Sequence, residues 1–271
     1  NGEYTMRLKP SYADFNIMNS QDQMAIYQEL EQKGWLNYAR IANASDSGVY
    51  GKMYQLLTEI DAATGQFALA NTEEARMAYL RAAEYRNTDW FDKLFTYGIQ
   101  HTHSVSMSGG TDRGNYYASL SIMDDPGWTL QSSVRRYTAN LNTTYKLLDN
   151  LSLNMISNAS YRNQRAPGTL GSTLDAVSGQ VRREFDINPY SYALNTSRAL
   201  DPDVFYTRNY APFNILHELE NNYLDLDVTN VRFQGELKWK VNNHLDFSAL
   251  AAAKSTSTSR EHYILDSSNQ A

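Results

Sequence analysis

The 271-residue chain has no cysteine, which removes disulfides, thiolate metal sites and cysteine nucleophiles together. That absence does not fix a compartment, but it suits a protein that crosses an oxidising space without mispairing. No apolar run reaches the ~18 residues of a membrane-crossing helix. This excludes a helical membrane protein and says nothing of strands, which are short and alternate in polarity. No basic block interrupts the 30 acidic and 24 basic side chains, and the formal net charge is −6. Nucleic acid is therefore not an expected partner. A Gly-x-Ser-x-Gly elbow and a phosphate loop are both missing, so two common catalytic frameworks are out.

What the chain does have is tyrosine: 20, against 9 Phe and 4 Trp. Such an excess suits surfaces with one apolar and one wet end, whether membrane interfaces or sugar- and peptide-binding loops. A Tyr-rich soluble β protein has the same composition.

Periodicity separates the chain into stretches. Tyr4, Met6 and Leu8 alternate with Thr5, Arg7 and Lys9 in a first strand that Pro10 interrupts. Residues 14–99 read as a helical excursion. Ser20 is a candidate cap for a helix carrying Met24, Ile26, Tyr27 and Leu30, and a second helix is expected over Tyr50–Ile60. A third follows Thr72 with Glu73 and Glu74 in its first turn, and Asn87 or Thr88 is a candidate cap for one more. From 100 to 165 strands return, with a reversal expected over Gly109–Gly114 and a break at Asp125-Pro126-Gly127.

The alternation is clearest in Tyr137, Ala139, Leu141, Thr143, Tyr145 and Leu147. These face away from Arg136, Thr138, Asn140, Asn142, Thr144 and Lys146, and a tight turn at 148–150 leads into a matching strand. The same construction recurs at 228–265, where Val231, Phe233, Leu237, Trp239 and Val241 form the apolar stripe. Between the two hairpins lies a long segment, 163–227, rich in Gly, Pro, Asn and Tyr, with a candidate helix at 214–222. Long strands, short turns at one end and long connections at the other describe an outer-membrane β-barrel. Strands of ~9–11 residues span a bilayer, and Tyr137, Tyr161 and Trp239 are candidates for aromatic girdles. The competing reading is a soluble, secreted β-rich carbohydrate-binding module, whose strands also alternate. The polar face, made of Asn, Thr, Ser, Arg, Lys and Gln, favours a wet lumen.

Three motifs carry a family resemblance: Asn87-Thr88-Asp89-Trp90-Phe91-Asp92; His103-Ser104-Val105-Ser106-Met107-Ser108-Gly109-Gly110; and Asn115-Tyr116-Tyr117-Ala118-Ser119-Leu120. With Arg136–Asn154 they resemble, in order and spacing, the SusC-like TonB-dependent transporters (the SusC/RagA family) of Bacteroidetes outer membranes. The resemblance implies an all-β membrane barrel with helical extracellular loop insertions, its strands antiparallel and up-and-down. The chain would be the early-barrel part of a 22-stranded fold, lacking signal peptide, TonB box and plug domain. It also implies a SusD-like surface lipoprotein lid, coupling to the TonB complex, outer-membrane lipid around the barrel, and an oligosaccharide or peptide cargo. No enzyme activity, cofactor or metal is implied.

Candidate contacts to substrate or lid are Trp35, Tyr38 and Trp90 in or beside the helical excursion, and Arg182, Arg183, Tyr206, Arg208 and Tyr210 in the long segment. Aromatic faces stack on sugar rings, and guanidiniums bond hydroxyls or carboxylates. Against binding stands the anchoring of large loops by buried aromatics, the favoured role for Trp90. Asn87, Asp89, Trp90, Gly109, Gly110, Asn115 and Tyr116 are expected to be structural. His101-x-His103 has no third ligand at useful spacing. The acids Asp124, Asp125, Asp225 and Asp227 are expected at turns.

Overall fold

The computed structural model describes residues 1–36, 48–168, 173–174, 181–182, 188–208, 211–268 and 271, with the backbone alone at 173–174, 181–182, 208 and 211. The described chain divides into two compact units. One comprises Asn1–Leu8, Tyr97–Ala166 and Tyr223–Tyr263; the other comprises Lys9–Thr96, Pro167–Asn222 and Ile264–Ala271.

The first unit is a single antiparallel sheet. Its strands are β1 (Gly2–Arg7), β2 (Gly98–Thr111), β3 (Gly114–Asp125), β4 (Ser133–Leu148), β5 (Leu151–Pro167), β10 (Asn222–Asn242) and β11 (Leu245–Ile264), adjacent in that order. The last four run to 16, 17, 21 and 20 residues, far beyond the ~5–6 of an ordinary globular strand. Short reversals join β2 to β3, β4 to β5 and β10 to β11 at one end of the sheet. The connections β1–β2, β3–β4 and β5–β10 all leave from the other end.

The β2–β3 reversal is tighter than the expected six residues, because pairing continues through Gly109↔Tyr116 and Gly110↔Asn115 to Thr111↔Gly114. The glycines permit this. A Cβ on Gly109 would lie 2.9 Å from the Tyr116 hydroxyl, and one on Gly110 would lie 2.9 Å from the Gly114 carbonyl oxygen. At the opposite end Gly127 sits at φ 81°, with Ser132 O 2.1 Å from where a Cβ would stand. A side chain there is excluded on both counts.

The second unit is helical and irregular. It holds α1 (Ser20–Gln32), α2 (Gly48–Leu56), α3 (Glu73–Arg86), α4 (Trp90–Leu94), α5 (Pro189–Asn195) and α6 (Ile215–Asn221). It also holds two small hairpins, β6 (Thr173–Leu174) with β7 (Val181–Arg182), and β8 (Tyr206–Arg208) with β9 (Ala211–Phe213). Helix α3 packs on α1 and α2, and α4 packs on α5. The core gathers Met24, Val49, Met53, Leu80, Trp90, Phe91, Leu94, Phe95, Ile215 and Leu219, each at most 4% exposed.

The helix starts differ in detail from expectation. Asn19, not Ser20, caps α1 by accepting from Asp22 N at 2.9 Å. Ser20 is drawn inward, donating to Glu84 O at 2.6 Å and accepting from Asn87 N at 3.0 Å. Asp89, not Asn87 or Thr88, caps α4, accepting from Asp92 N at 3.0 Å. Asn87 instead ends α3 in the left-handed region at φ 48°. Thr72 caps α3 as expected, and the candidate helix at 214–222 is α6, capped by Asn214. Helix α2 stops at Leu56, and Ile60 forms an isolated bridge with Phe67.

Candidate transport wall and loop residues

The sheet has two unlike faces, and from β1 to β5 register assigns residues to them because Cα partners share a face. On the apolar face Val105, Leu120, Ala139 and Ala159 form one row, and Met107, Ala118, Leu141 and Ser157 the next. With Val231 and Phe233 they line a shallow apolar hollow of about 430 Å³. None of this is covered: Val105 is 66% exposed, Leu120 60%, Phe233 51% and Trp239 42%. In water each such side chain forfeits part of the roughly 1.5–3 kcal/mol that full burial is worth, and an uncovered apolar face of this kind marks a surface that meets another apolar phase.

The polar face is tied across strands. Asn158 Nδ2 donates to Asn140 Oδ1 at 2.7 Å, and Asn140 Nδ2 donates to Ser119 Oγ at 3.1 Å. One row away from the reversals, Thr144 Oγ1 donates to Asn154 Oδ1 at 3.3 Å. These are opposite pairs in the register, so these amides and hydroxyls bond one another across the strands.

Toward the end with long connections the apolar face turns polar. Tyr137 stacks on Tyr161 with ring centroids 6.4 Å apart. The Tyr161 hydroxyl donates to Asp227 at 2.7 Å, and Asn163 Nδ2 donates to the same oxygen at 2.9 Å. Arg135 bonds Asp124 through Nε and Nη2, and Arg165 forks onto Asp225 with both contacts 2.8 Å. Arg165 also lies over Tyr223, which stacks on Tyr263. Of the acids expected at turns, Asp124, Asp225 and Asp227 lie within β3 and β10, whereas Asp125 is the last residue of β3, before Pro126, and accepts from Gly127 N at 2.9 Å. The signal that would have found this rim is the matching parity of Asp225 and Asp227 with Tyr161, Asn163 and Arg165.

In the helical unit the motif at 87–92 is an anchor. Thr88 N and Oγ1 donate to Arg198 O and Leu200 O at 2.8 and 2.6 Å, and Arg198 Nε returns a bond to Thr88 O at 3.1 Å. Arg86 Nη1 donates to Ala199 O at 2.6 Å. Trp90 is 2% exposed, donates its indole N–H to Ser197 O at 3.0 Å and meets Tyr192 edge-on. Tyr12 packs on Phe91, donates to Ala193 O at 2.6 Å and lies under Arg198. Burial raises its phenol above the ordinary range, with Arg198 opposing, and burial likewise raises Tyr79 and Tyr206. Asp92 is exposed, and its carboxyl is lowered by the hydrogen bond and charge of Lys9 at 2.7 Å.

Of the candidate contacts, Trp35 stands open at 69% exposure with the Lys33 ammonium 4.9 Å from its ring centre. Trp90 and Tyr206 are core residues, and the Tyr206 hydroxyl accepts from Asp201 N at 2.8 Å. Of Arg182 in β7 and Arg208 in β8 the backbone alone is described, and Tyr38, Arg183 and Tyr210 lie outside the described residues. Among the motif residues, Gly109 and Tyr116 are cross-strand partners, as are Gly110 and Asn115.

No family model matches the chain. Over 149 residues it is 30% identical to TonB-dependent receptor SusC of Bacteroides thetaiotaomicron, covering 49% of this chain and 14% of that protein. Over 81 residues it is 31% identical to TonB-dependent receptor P26 of Formosa agariphila, covering 30% and 8%. Over part of its length the chain is similar to TonB-dependent receptors. Its fold agrees: the RagAB peptide importer in its closed-closed state superposes with a TM-score of 0.64 at 16% identity, over 99% of this chain and 29% of that one. The chain therefore has the fold of part of a β-barrel, as an unclosed antiparallel sheet with helical insertions, and it covers 14% and 8% of the two receptors and 29% of the importer chain.

Proposed function

We propose that this SusC-like sheet is part of the wall of an outer-membrane transporter that imports an oligosaccharide or peptide. Energy would come through TonB, and a SusD-like lipoprotein would close the outer mouth. The carrying observation is the single-layer sheet with one exposed apolar face and one self-bonded polar face. From Tyr137 to Leu147 the apolar side spans ~33 Å along the strand, or ~25 Å when the strand tilts by ~40°, the height of a barrel's apolar band. Tyr137 and Tyr161 then form a girdle at one interface and Trp239 belongs to the other. The long connections, 8–97 between β1 and β2 and 168–221 between β5 and β10, belong to the extracellular side, as long loops do in such barrels; β5 and β10 run several residues into the segment 163–227 that the sequence assigned to a loop. RagAB is named a peptide importer, which supports uptake and leaves sugar and peptide cargoes both in play. Trp35, open on the surface, is our candidate for contact with cargo or lid.

A closed soluble module would bury the stripe Val231, Phe233, Trp239 and Val241, whose members are 36–51% exposed. The test is site-directed spin labelling of the full-length transporter in lipid, at Leu120 and Phe233 on one face and Ser106 and Asn140 on the other. Collision with oxygen at the first pair and with a water-soluble nickel chelate at the second is expected. The reverse pattern, or shielding of Leu120 and Phe233 from both reagents, overturns the reading.

A further inference from the structure

The polar face carries an excess of positive charge that the chain as a whole does not. On β4, β5 and β10 it presents Arg136, Lys146, Arg162, Arg232, Lys238 and Lys240 against one acid, Glu236, although the chain is net −6. Glu236 is taken by Lys238 at 3.3 Å. Arg136 and Arg162 are direct cross-strand partners, so two guanidinium-bearing chains stand opposite one another on one face. Like charges so placed oppose strand pairing. Neither has a hydrogen bond or ion pair among the described residues, and Arg162 Nε is shielded from solvent with no partner. Three other sheet arginines differ: Arg7, Arg135 and Arg165 are each bonded to an aspartate at 2.8 Å, while Arg232 bonds only Gln234 among the described residues, at 2.7 Å.

Both costs, the repulsion and the unfilled donor, are removed by one anion with at least two acceptor oxygens, because a guanidinium fork binds a carboxylate or phosphate through paired N–H groups. Thr138 and Ser160, the next opposite pair on the same face, add hydroxyls beside it. We propose that Arg136 and Arg162 form an anion-binding position on the polar face. It takes a carboxylate or phosphate group, carried either by the cargo or by another segment of the transporter. The inference rests on the reading of that face as a wetted lumen wall.

The experiment is arginine modification by phenylglyoxal on the full-length transporter in detergent, read residue by residue by mass spectrometry, with citrate as the anion probe. Arg113, exposed at the β2–β3 reversal, sets the free rate, and Arg232, on the same polar face, reports whether that face is wetted. For a solution ligand, citrate slows labelling at Arg136 and Arg162 by about fivefold at about four times its dissociation constant, by occupancy alone. In R162Q, which relieves the repulsion, citrate no longer protects Arg136. For an anion supplied by the transporter itself, both arginines are blocked at low salt and released near ~1 M NaCl, where screening acts within ~3 Å. Labelling at the Arg113 rate under every condition overturns the site. So does protection that neither citrate nor salt alters, or citrate protection of Arg136 that survives R162Q. An unreactive Arg232 overturns the wetted-face reading and the site with it; a reactive Arg232 beside an indifferent pair removes the site alone.

Discussion

Trp90 is the residue on which the helical unit turns. Its ring is buried, its N–H holds Ser197 and its edge contact is Tyr192. Trp90→Ala is expected to cost about 3–5 kcal/mol, as emptied aromatic sites do. Trp90→Phe, which keeps most of the volume and drops the hydrogen bond, should cost about 1–2 kcal/mol. Urea unfolding of the two variants followed by circular dichroism checks the order; equal costs would place the indole outside the core. The buried phenols give a pH signature. Tyr12, Tyr79 and Tyr206 are raised above the ordinary value of about 10 by burial. Above pH ~10 the unfolded chain loses protons that the folded unit keeps, so stability is fully present below that pH and falls as pH rises beyond it. Urea midpoints between pH 8 and 11 should stay level and then decline; a midpoint that rises above pH 10 contradicts the burial of these side chains.

At the level of elements, the strands were legible because alternation is a local property that needs no knowledge of what the strand pairs with. The end of β3 before Pro126 was legible too, but the start of β10 was not, since Asp225 takes its partner, Arg165, from another strand. Helix caps were partly legible for the same reason. Thr72 is read from its own neighbours, whereas Ser20 is diverted by Glu84 and Asn87, more than 60 residues away. The apolar face leads to an asymmetric prediction. Phe233→Arg, in the middle of the band, should destabilise the folded transporter in lipid by about 2–4 kcal/mol, while arginine at Tyr137, beside the rim, should cost about 0–1 kcal/mol. Guanidinium unfolding in vesicles measures both, and equal penalties would remove the depth dependence that a bilayer imposes.

For the whole molecule, the seven-stranded sheet order and its two faces decide what kind of surface this chain offers. Trp35→Ala is expected to leave the unfolding midpoint within about 0.5 kcal/mol of the wild type, as open surface changes do. It should weaken binding of cargo or lid at least severalfold in a pull-down or calorimetric titration. Unchanged binding would leave Trp35 an ordinary surface aromatic. By itself the sequence determined the strand periodicity, the polarity of each face and the family motifs, because each is written in residues near one another along the chain. Tertiary structure alone decided that Trp90 and Tyr206 are buried, that the rim acids are paired, and that Arg136 faces Arg162. Those facts depend on which distant segments are brought opposite, and no local pattern encodes that choice.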